Sequence, residues 1–278
     1  MKLSPGRSWL LAFFGNACVI ALLFSPLSLV AQEHEHDDDH DHEHLHFSHP
    51  LVTESPTPDT KIRFDYTMLW ANDVPDVRDQ LARVEGEYAF GDAVSLALVA
   101  PYEFRRDAGG TKTSGLGDLE LSLKFASLRY GEHGILLGAG LSAGIPTGSD
   151  RKQIGSSHIV ELAPFVDAGY KRDKIELVGF ASMSSIFNRQ DGDPAERDLA
   201  FDFSALYHLH PRLETLLELS TSRSLVGSEA GIPQTFLAPG AKIYPFTNRR
   251  IMFGTSLLLG TCAISDERAV SISGFYHF

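Results

Sequence analysis

Apolar and polar residues alternate along most of the chain from residue 61 onward. In the first run, Ile62, Phe64 and Tyr66 occupy one set of alternate positions, and Arg63 and Asp65 occupy the other. Successive side chains of a strand point to opposite faces, so this run predicts a strand with one apolar face. Similar runs predict twelve strands, at about 61–70, 83–90, 94–104, 118–125, 134–145, 158–170, 174–187, 198–207, 212–219, 235–245, 250–260 and 269–278.

The connections between these strands alternate between long and short. Most of the short ones are tight turns, as at Gly91-Asp92 and His210-Pro211. The long ones cover about 71–82, 105–116, 146–157, 188–197, 224–234 and 261–268. This alternation is typical of outer-membrane barrels. It predicts an all-β, transmembrane, antiparallel up-and-down barrel over 61–278, with both termini in the periplasm. The alternative is a soluble β-sandwich, whose strands are usually shorter and whose loops need not alternate in length.

Aromatic residues fall near both ends of the predicted strands, as in the girdles of membrane barrels. The short-turn end would carry Phe90, Phe125, Tyr170, Tyr207, Tyr276 and Phe278, and the long-loop end Trp70, Tyr102, Phe104 and Phe187. The last strand, ending on Phe278, resembles the end of a Gram-negative outer-membrane barrel. This ending predicts insertion by the barrel-insertion machinery and contact with outer-membrane lipids.

The first 31 residues have the pattern of a secretory signal peptide. Lys2 and Arg7 precede an apolar run over 9–30, and Ala31 offers a small residue for cleavage. A membrane-anchoring helix is the alternative, although Pro26 interrupts the run. The chain has two cysteines, and one of them lies within this segment. The mature chain is therefore predicted to have neither a disulfide nor a cysteine-based metal site.

A histidine-rich tract over 33–49 alternates imidazoles with carboxylates. Its histidines are His34, His36, His40, His42, His44, His46 and His49. Imidazole nitrogen is a good ligand for zinc, copper and nickel. The composition predicts a disordered periplasmic tail over 32–60, with a proline-containing linker at its end, that binds divalent metal loosely. No cofactor is required by this prediction. A solvated acidic spacer is the alternative.

Four further histidines are predicted on the same side of the membrane as this tail. They are His133, His208, His210 and His277. We hypothesise that tail and barrel rim form one metal-collecting surface, although chance placement of a few surface histidines explains the pattern equally well.

The polar positions of the strands predict an acidic lumen. The candidate lumen residues are Glu85, Glu87, Asp118, Glu120, Glu161, Asp202, Glu214 and Glu218. An open acidic pore would favour cations. The opposing bases, Arg63, Arg83, Lys124 and Arg212, could instead pair with the acids and close the barrel. Barrel size leaves both alternatives open, because twelve strands lie between the filled barrels of eight and the channels of sixteen.

Overall charge and residue spacing exclude two classes of function. The formal net charge is −12, whereas nucleic-acid binding calls for basic patches. A hydrolase on a strand would need a nucleophile and a histidine within hydrogen-bond reach on one face. The predicted barrel contains no His–x–Ser triplet, and its nearest serine and histidine cluster is Ser156-Ser157-His158. The sequence therefore predicts neither a nucleic-acid-binding protein nor an enzyme.

Two stretches resemble a known family. Residues 114–125, Ser-Gly-Leu-Gly-Asp-Leu-Glu-Leu-Ser-Leu-Lys-Phe, are similar to the Gly-Leu-Gly-Asp strand of the phenol meta-pathway family of proposed outer-membrane transporters. Residues 138–150 resemble that family's strand leading into a Pro-Thr-Gly loop. The resemblance implies a barrel over 61–278. Because the family is named for gene neighbourhoods of aromatic degradation, it also implies small hydrophobic solutes.

These patterns together predict an outer-membrane channel for small solutes, either metal cations or small hydrophobic compounds, with a metal-binding tail. The alternative is a closed, non-conducting barrel that anchors a metal-buffering tail.

Overall fold

The computed structural model describes residues 45–71, 78–106, 110–130, 133–190, 193, 196–227, 230–261 and 267–278. The predicted signal peptide and the first five tract histidines lie outside these residues. The described part of the chain contains no helix with the length and hydropathy of a membrane span.

Almost all regular structure in the described residues is β-strand. The strands are β1 Lys61–Ala71, β2 Arg78–Ala89, β3 Val94–Arg106, β4 Lys112–Leu116, β5 Leu119–Tyr130, β6 Ile135–Ile145, β7 Val160–Arg172, β8 Ile175–Phe187, β9 Arg197–His210, β10 Leu213–Ser224, β11 Pro233–Ile243, β12 Ile251–Gly260 and β13 Glu267–His277. One short 3₁₀ turn, Asp150–Lys152, lies between β6 and β7.

The strands form one closed antiparallel barrel. The first strand pairs with the last over its whole length, from Lys61 opposite His277 to Ala71 opposite Glu267. Strands β4 and β5 both pair with β3, at its two halves, so together they make one interrupted barrel strand. The wall therefore has twelve strands. This confirms the predicted all-β barrel, and its closure excludes an open sandwich.

The interruption between β4 and β5 ties the wall to a long loop. The carboxylate of Asp118 accepts backbone N–H groups from Thr147 at 3.0 Å, Gly148 at 2.8 Å and Ser156 at 2.8 Å. A Cβ atom at Gly155, whose φ is +61°, would lie 2.8 Å from the same carboxylate. The Gly-Leu-Gly-Asp and Pro-Thr-Gly motifs thus meet, and Asp118 orders this loop.

Apolar side chains cover the outside of the barrel. Ile62 and Phe64 are 47% and 46% exposed, whereas Arg63 and Asp65 between them are buried in the lumen. This is the reverse of a water-soluble protein and the arrangement of a membrane barrel. The alternation predicts correctly which face each of these positions occupies.

The interior is not polar throughout, which differs from the sequence expectation. An apolar cluster fills the end of the barrel with the short connections, which we name the turn end. Its wall members are Ala126, Leu136, Val178, Leu206, Leu216, Tyr244, Met252 and Phe275. The opposite end, with the long connections, is named the loop end. The apolar cluster exists because a further segment of the chain packs inside it.

Candidate functional site: a plugged lumen with a cavity

Residues 45–60, which we name the plug, lie inside the turn-end half of the barrel. Phe47 and Leu51 are 0% and 2% exposed, and Thr53 is 1% exposed. The backbone N–H of Phe47 donates to Oγ1 of Thr57 at 2.9 Å, so the segment enters and returns as a re-entrant loop. The predicted disorder over 32–60 therefore does not hold for 45–60. These residues order because the barrel wall supplies both apolar and polar partners.

Glycines in the wall make room for the apolar side chains of the plug. A Cβ atom at Gly169 on β7 would lie 2.6 Å from the ring of Phe47. A Cβ atom at Gly254 on β12 would lie 2.4 Å from the Leu51 side chain. Complete burial of a phenylalanine side chain stabilises a structure by about 1.5–3 kcal/mol. Shape and hydrophobicity thus hold the plug at two points.

Two glutamates satisfy backbone donors of the plug. Glu218 on β10 accepts N–H groups from Leu51 at 3.2 Å, Val52 at 2.9 Å and Thr53 at 2.9 Å. Glu176 on β8 accepts the N–H of Ser48 at 2.7 Å. A buried segment without regular structure needs such partners, because an unpaired backbone group is costly. These carboxylates therefore act as docking groups for the plug.

Basic side chains of the wall satisfy the plug carbonyls in the same way. Arg63 donates to the carbonyl of Leu51 at 2.5 Å, and Lys242 donates to the carbonyl of His49 at 3.0 Å. Lys124 donates to the carbonyl of Ser55 at 2.8 Å. The same bases pair with acids. Nζ of Lys242 lies 2.7 Å from Glu214, and Nζ of Lys124 lies 3.6 Å from Glu87.

The predicted lumen residues therefore separate into two groups. Glu87, Glu214 and Glu218 are buried in the plugged half, where acid–base pairs predominate. Glu85 is also buried and pairs with Lys61, but it faces the cavity with the second group. The predicted alternative, in which basic residues pair with the acids, describes this half, and its Lys61–Glu87 and Lys242–Glu214 pairs join neighbouring strands. The bases that achieve it include Lys61 and Lys242, which sequence reasoning missed because a lysine on a strand gives no local sign of its partner.

The loop-end half of the lumen keeps a cavity of about 190 Å³. The plug residues Val52 and Glu54 form part of its lining. Its ionisable wall residues are Arg83, Glu85, Glu120, Lys124, Glu161, Asp198 and Asp202. The remaining lining includes five serines and the rings of Phe165 and Phe180. Of the predicted lumen residues, Asp118 is not part of this lining, because its carboxylate is turned into the 146–157 loop. The cavity is small, polar and predominantly acidic.

Three histidines surround one carboxylate at the turn end. Oδ2 of Asp59 lies 3.2 Å from Nε2 of His46, 2.9 Å from Nε2 of His49 and 2.9 Å from Nδ1 of His277. Burial opposes ionisation of Asp59, but hydrogen bonds from the three rings outweigh it and hold its pKa well below the usual range. Burial, followed by the charge of Lys61, lowers the pKa of His49 well below its ordinary value.

The other predicted rim histidines are placed differently. His208 lies 2.9 Å from Glu176 and 3.0 Å from Glu214, among the acid–base pairs, and His210 is exposed at the end of β9. Of the four rim histidines, His277 is the member that joins the tract histidines His46 and His49. Asp59, which brings them together, was missed as a ligand because it lies outside the tract.

The serine and histidine cluster near the loop end does not assemble a nucleophile. The hydroxyls of Ser156 and Ser157 both donate to the carboxylate of Asp150. The ring of His158 bonds Asp193 at 2.8 Å instead. Acyl-transfer chemistry would need a hydroxyl bonded to the imidazole.

No family model and no curated protein matches the sequence. The resemblance to the phenol meta-pathway family therefore stays a prediction. Among solved structures, an outer-membrane channel from Pseudomonas putida F1 matches with a TM-score of 0.58 at 14% identity, over 79% of this chain and 96% of that one. The NanC porin matches with a TM-score of 0.54 at 10% identity, over 77% and 100%. The KdgM porin in complex with disordered oligogalacturonate matches with a TM-score of 0.50 at 9% identity, over 78% and 99%. At these identities the likeness shows the fold.

Proposed function

We propose that this chain is an outer-membrane channel for small solutes whose lumen is closed at the turn end by its own plug. One observation carries the proposal. The plug is a re-entrant loop continuous with β1, and non-covalent contacts hold it inside an otherwise complete barrel. The loop-end half beside it keeps an acidic cavity. Release of the plug would extend this cavity toward the turn end.

The outer surface supports a location in the outer membrane. Large apolar side chains cover it, and aromatic pairs stand at both ends of the strands, as at Tyr276 with Phe278 and at Tyr102 with Phe104. Such aromatic belts mark membrane–water interfaces. The fold shared with an outer-membrane channel and two porins agrees with this location. In this proposal the turn end and both termini face the periplasm, and the barrel-insertion machinery places the chain among outer-membrane lipids.

The cavity lining favours small cations as solutes. Glu54, Glu85, Glu120, Glu161, Asp198 and Asp202 face it, against Arg83 and Lys124. Rings of carboxylates select cations in pores. Divalent metal cations fit both this lining and the histidine-rich segment that precedes the plug. The family resemblance favours small hydrophobic compounds instead, for which Phe165 and Phe180 would supply the contact surface. We propose a transport role, with no catalytic step.

Planar-bilayer conductance of the mature chain tests the channel. Glu218→Gln weakens the acceptor of three plug N–H groups, and hydrogen bonds to a charged group contribute about 1.5–3 kcal/mol. We expect this variant to open more often than the parent. Glu161→Gln is the control, because it removes a carboxylate that lines the cavity and is not one of the docking contacts of the plug. The opening frequency of this variant should match that of the parent. A barrel that never conducts, even with Glu218→Gln, overturns the proposal.

A closed barrel that anchors a metal-buffering tail is the second candidate. The filling of the turn-end half and the pairing of its charges favour it. Zinc affinity of the mature chain tests the tail. Five histidines precede the plug: His34, His36, His40, His42 and His44. We expect fewer bound ions when all five are replaced by Gln. An unchanged stoichiometry removes the tail from the proposal.

A further inference from the structure

The two ends of the plug, which we name its limbs, lie together in an arrangement suited to a metal ion. His46 and His49 belong to the first limb and Asp59 to the second. One ligand atom from each of His46, His49 and Asp59 can be chosen so that all three lie within 4.8 Å of one another. Around a tetrahedral zinc ion with bonds of about 2.0–2.2 Å, ligand atoms are about 3.4 Å apart. The two observed distances from Nε2 to Oδ2, 3.2 Å and 2.9 Å, are within a few tenths of an ångström of this value, and the two imidazole nitrogens lie within 4.8 Å of each other.

A bound ion would change one neighbouring contact, that of Lys61, and keep another, that of His277. Nζ of Lys61 lies 3.4 Å from Nδ1 of His49. Zinc at Nε2 requires the ring proton on Nδ1, so Lys61 would give up this long contact. Its charge stays balanced, because Glu85 lies 3.2 Å away and Glu87 lies closer still. Nδ1 of His277 on β13 remains 2.9 Å from Asp59 and orients the carboxylate.

We propose that His46, His49 and Asp59 bind one divalent transition-metal ion, which fastens the two limbs of the plug together. Two imidazoles and one carboxylate form a ligand set that suits zinc, copper or nickel better than calcium or magnesium. Water would complete the coordination. His277 is a positioning residue, since it contacts a ligand. The ion joins residues 46 and 59, so its binding favours the docked plug over released forms in which these two residues separate. This second part rests on the proposed function of the plug as a closure.

Calorimetric titration with Zn²⁺ tests the site in the full mature chain. The parent for this titration carries His→Gln replacements at the five tract histidines that precede the plug, which removes their competing ligands. We expect one bound Zn²⁺ per chain, bound at least tenfold more weakly after His49→Ala or Asp59→Asn. His210→Ala changes an exposed histidine at the same end and should leave the affinity unchanged. A parent that binds no Zn²⁺, or variants that bind as the parent does, would overturn the site.

His46 offers a variant with little risk to folding, because its side chain is 53% exposed. With Cu²⁺ as the probe, electron paramagnetic resonance should show two coordinated imidazole nitrogens in the parent and one in His46→Ala. In His277→Ala the nitrogen count should stay at two while the affinity falls by about tenfold or more, as for other groups that orient a ligand. A nitrogen count that does not fall in His46→Ala contradicts the assignment.

The effect of the ion on release of the plug is measured with a cysteine placed in the plug. Thr53→Cys in a Cys262→Ser background places a buried thiol whose reaction with a methanethiosulfonate reagent requires release of the plug. Zn²⁺ at about 100 times its dissociation constant should slow this reaction by about 100-fold, because it binds the docked form. Zn²⁺ that binds without slowing the reaction refutes the fastening. A barrel that binds Zn²⁺ and reacts more slowly, yet never conducts, refutes only the channel.

Discussion

Phe47 is the apolar anchor of the plug, and its removal should release the segment measurably. The ring is 0% exposed and lies against Gly169, where a Cβ atom would come within 2.6 Å of it. Phe47→Ala leaves a hollow between the plug and Gly169. Large-to-small replacement of a buried phenylalanine costs about 3–5 kcal/mol. The barrel strands keep all their own pairing, so the cost falls on docking of the plug.

The expected change in plug release follows from this magnitude. A loss of about 3 kcal/mol corresponds to about a 100-fold rise in the released fraction, since 1.4 kcal/mol is a factor of ten. The thiol of Thr53→Cys reports this fraction, because residue 53 is 1% exposed and its Oγ1 has no hydrogen-bond partner that the replacement would remove. Its reaction rate with a thiol reagent should therefore rise by about 100-fold in Phe47→Ala. A smaller rise would indicate partial collapse of the hollow.

The control for this experiment removes an aromatic ring from the opposite face of the wall. Phe253 on β12 is 51% exposed on the outside of the barrel. Phe253→Ala should leave the thiol reaction unchanged, and heat-modifiable migration on gels should show that both variants form barrels. If the barrel is intact and Phe47→Ala reacts at the parent rate, the plug is not held by this side chain, and the reasoning fails.

Three further expectations concern the wall and the loop end. Gly254→Val would place a Cβ atom 2.4 Å from the Leu51 side chain, and overpacking of about 1–3 kcal/mol should raise the reaction rate of the same reporter cysteine; an unchanged rate would show that the side chain adapts freely. The hydrogen bond that the His158 ring donates to Asp193, opposed in part by burial, raises the pKa of His158 above its usual value. This pair is therefore present at low pH and is lost as the pH rises through that pKa. NMR titration should find the pKa of His158 lowered in Asp193→Asn, and an equal pKa in both proteins contradicts the pairing. Asp118→Ala removes a charged acceptor of three backbone N–H groups, so proteolysis within 146–157 should become faster while the barrel stays folded; equal cleavage rates would show that the loop is ordered by other contacts.

The sequence motifs and the structure assign different roles to some residues. The Gly-Leu-Gly-Asp motif carries the family resemblance, and strand parity predicts that its Asp118 faces the lumen. The structure gives it a local role, in which its carboxylate collects N–H groups from a loop about 30 residues further on. Strand parity predicts the direction of a side chain within a continuous strand. It could not predict that Asp118 binds this loop, because the strand is interrupted between Leu116 and Leu119 and the loop residues lie far along the chain.

The histidine tract shows the limit of composition as evidence. Alternating histidine and acid over 33–49 predicts disorder and loose metal binding. Phe47, Leu51 and Val52 were the sequence signal for a buried segment, since such residues have no use in a solvated tail. The partners of these residues could not be predicted from neighbouring sequence, because Gly169 and Gly254 lie more than 100 residues away in the chain.

The barrel fold could be predicted from the amino-acid sequence alone. Period-two alternation, loop lengths and strand number are local properties, and each follows from the pleat of a single strand and the length of a single connection. Three features emerge only in the folded chain: the plug enters the lumen, Glu176 and Glu218 bind its backbone, and Asp59 contacts His46, His49 and His277. These features depend on groups that only barrel closure brings together. Closure also creates the enclosed space in which the plug is buried, where unpaired polar groups would be costly.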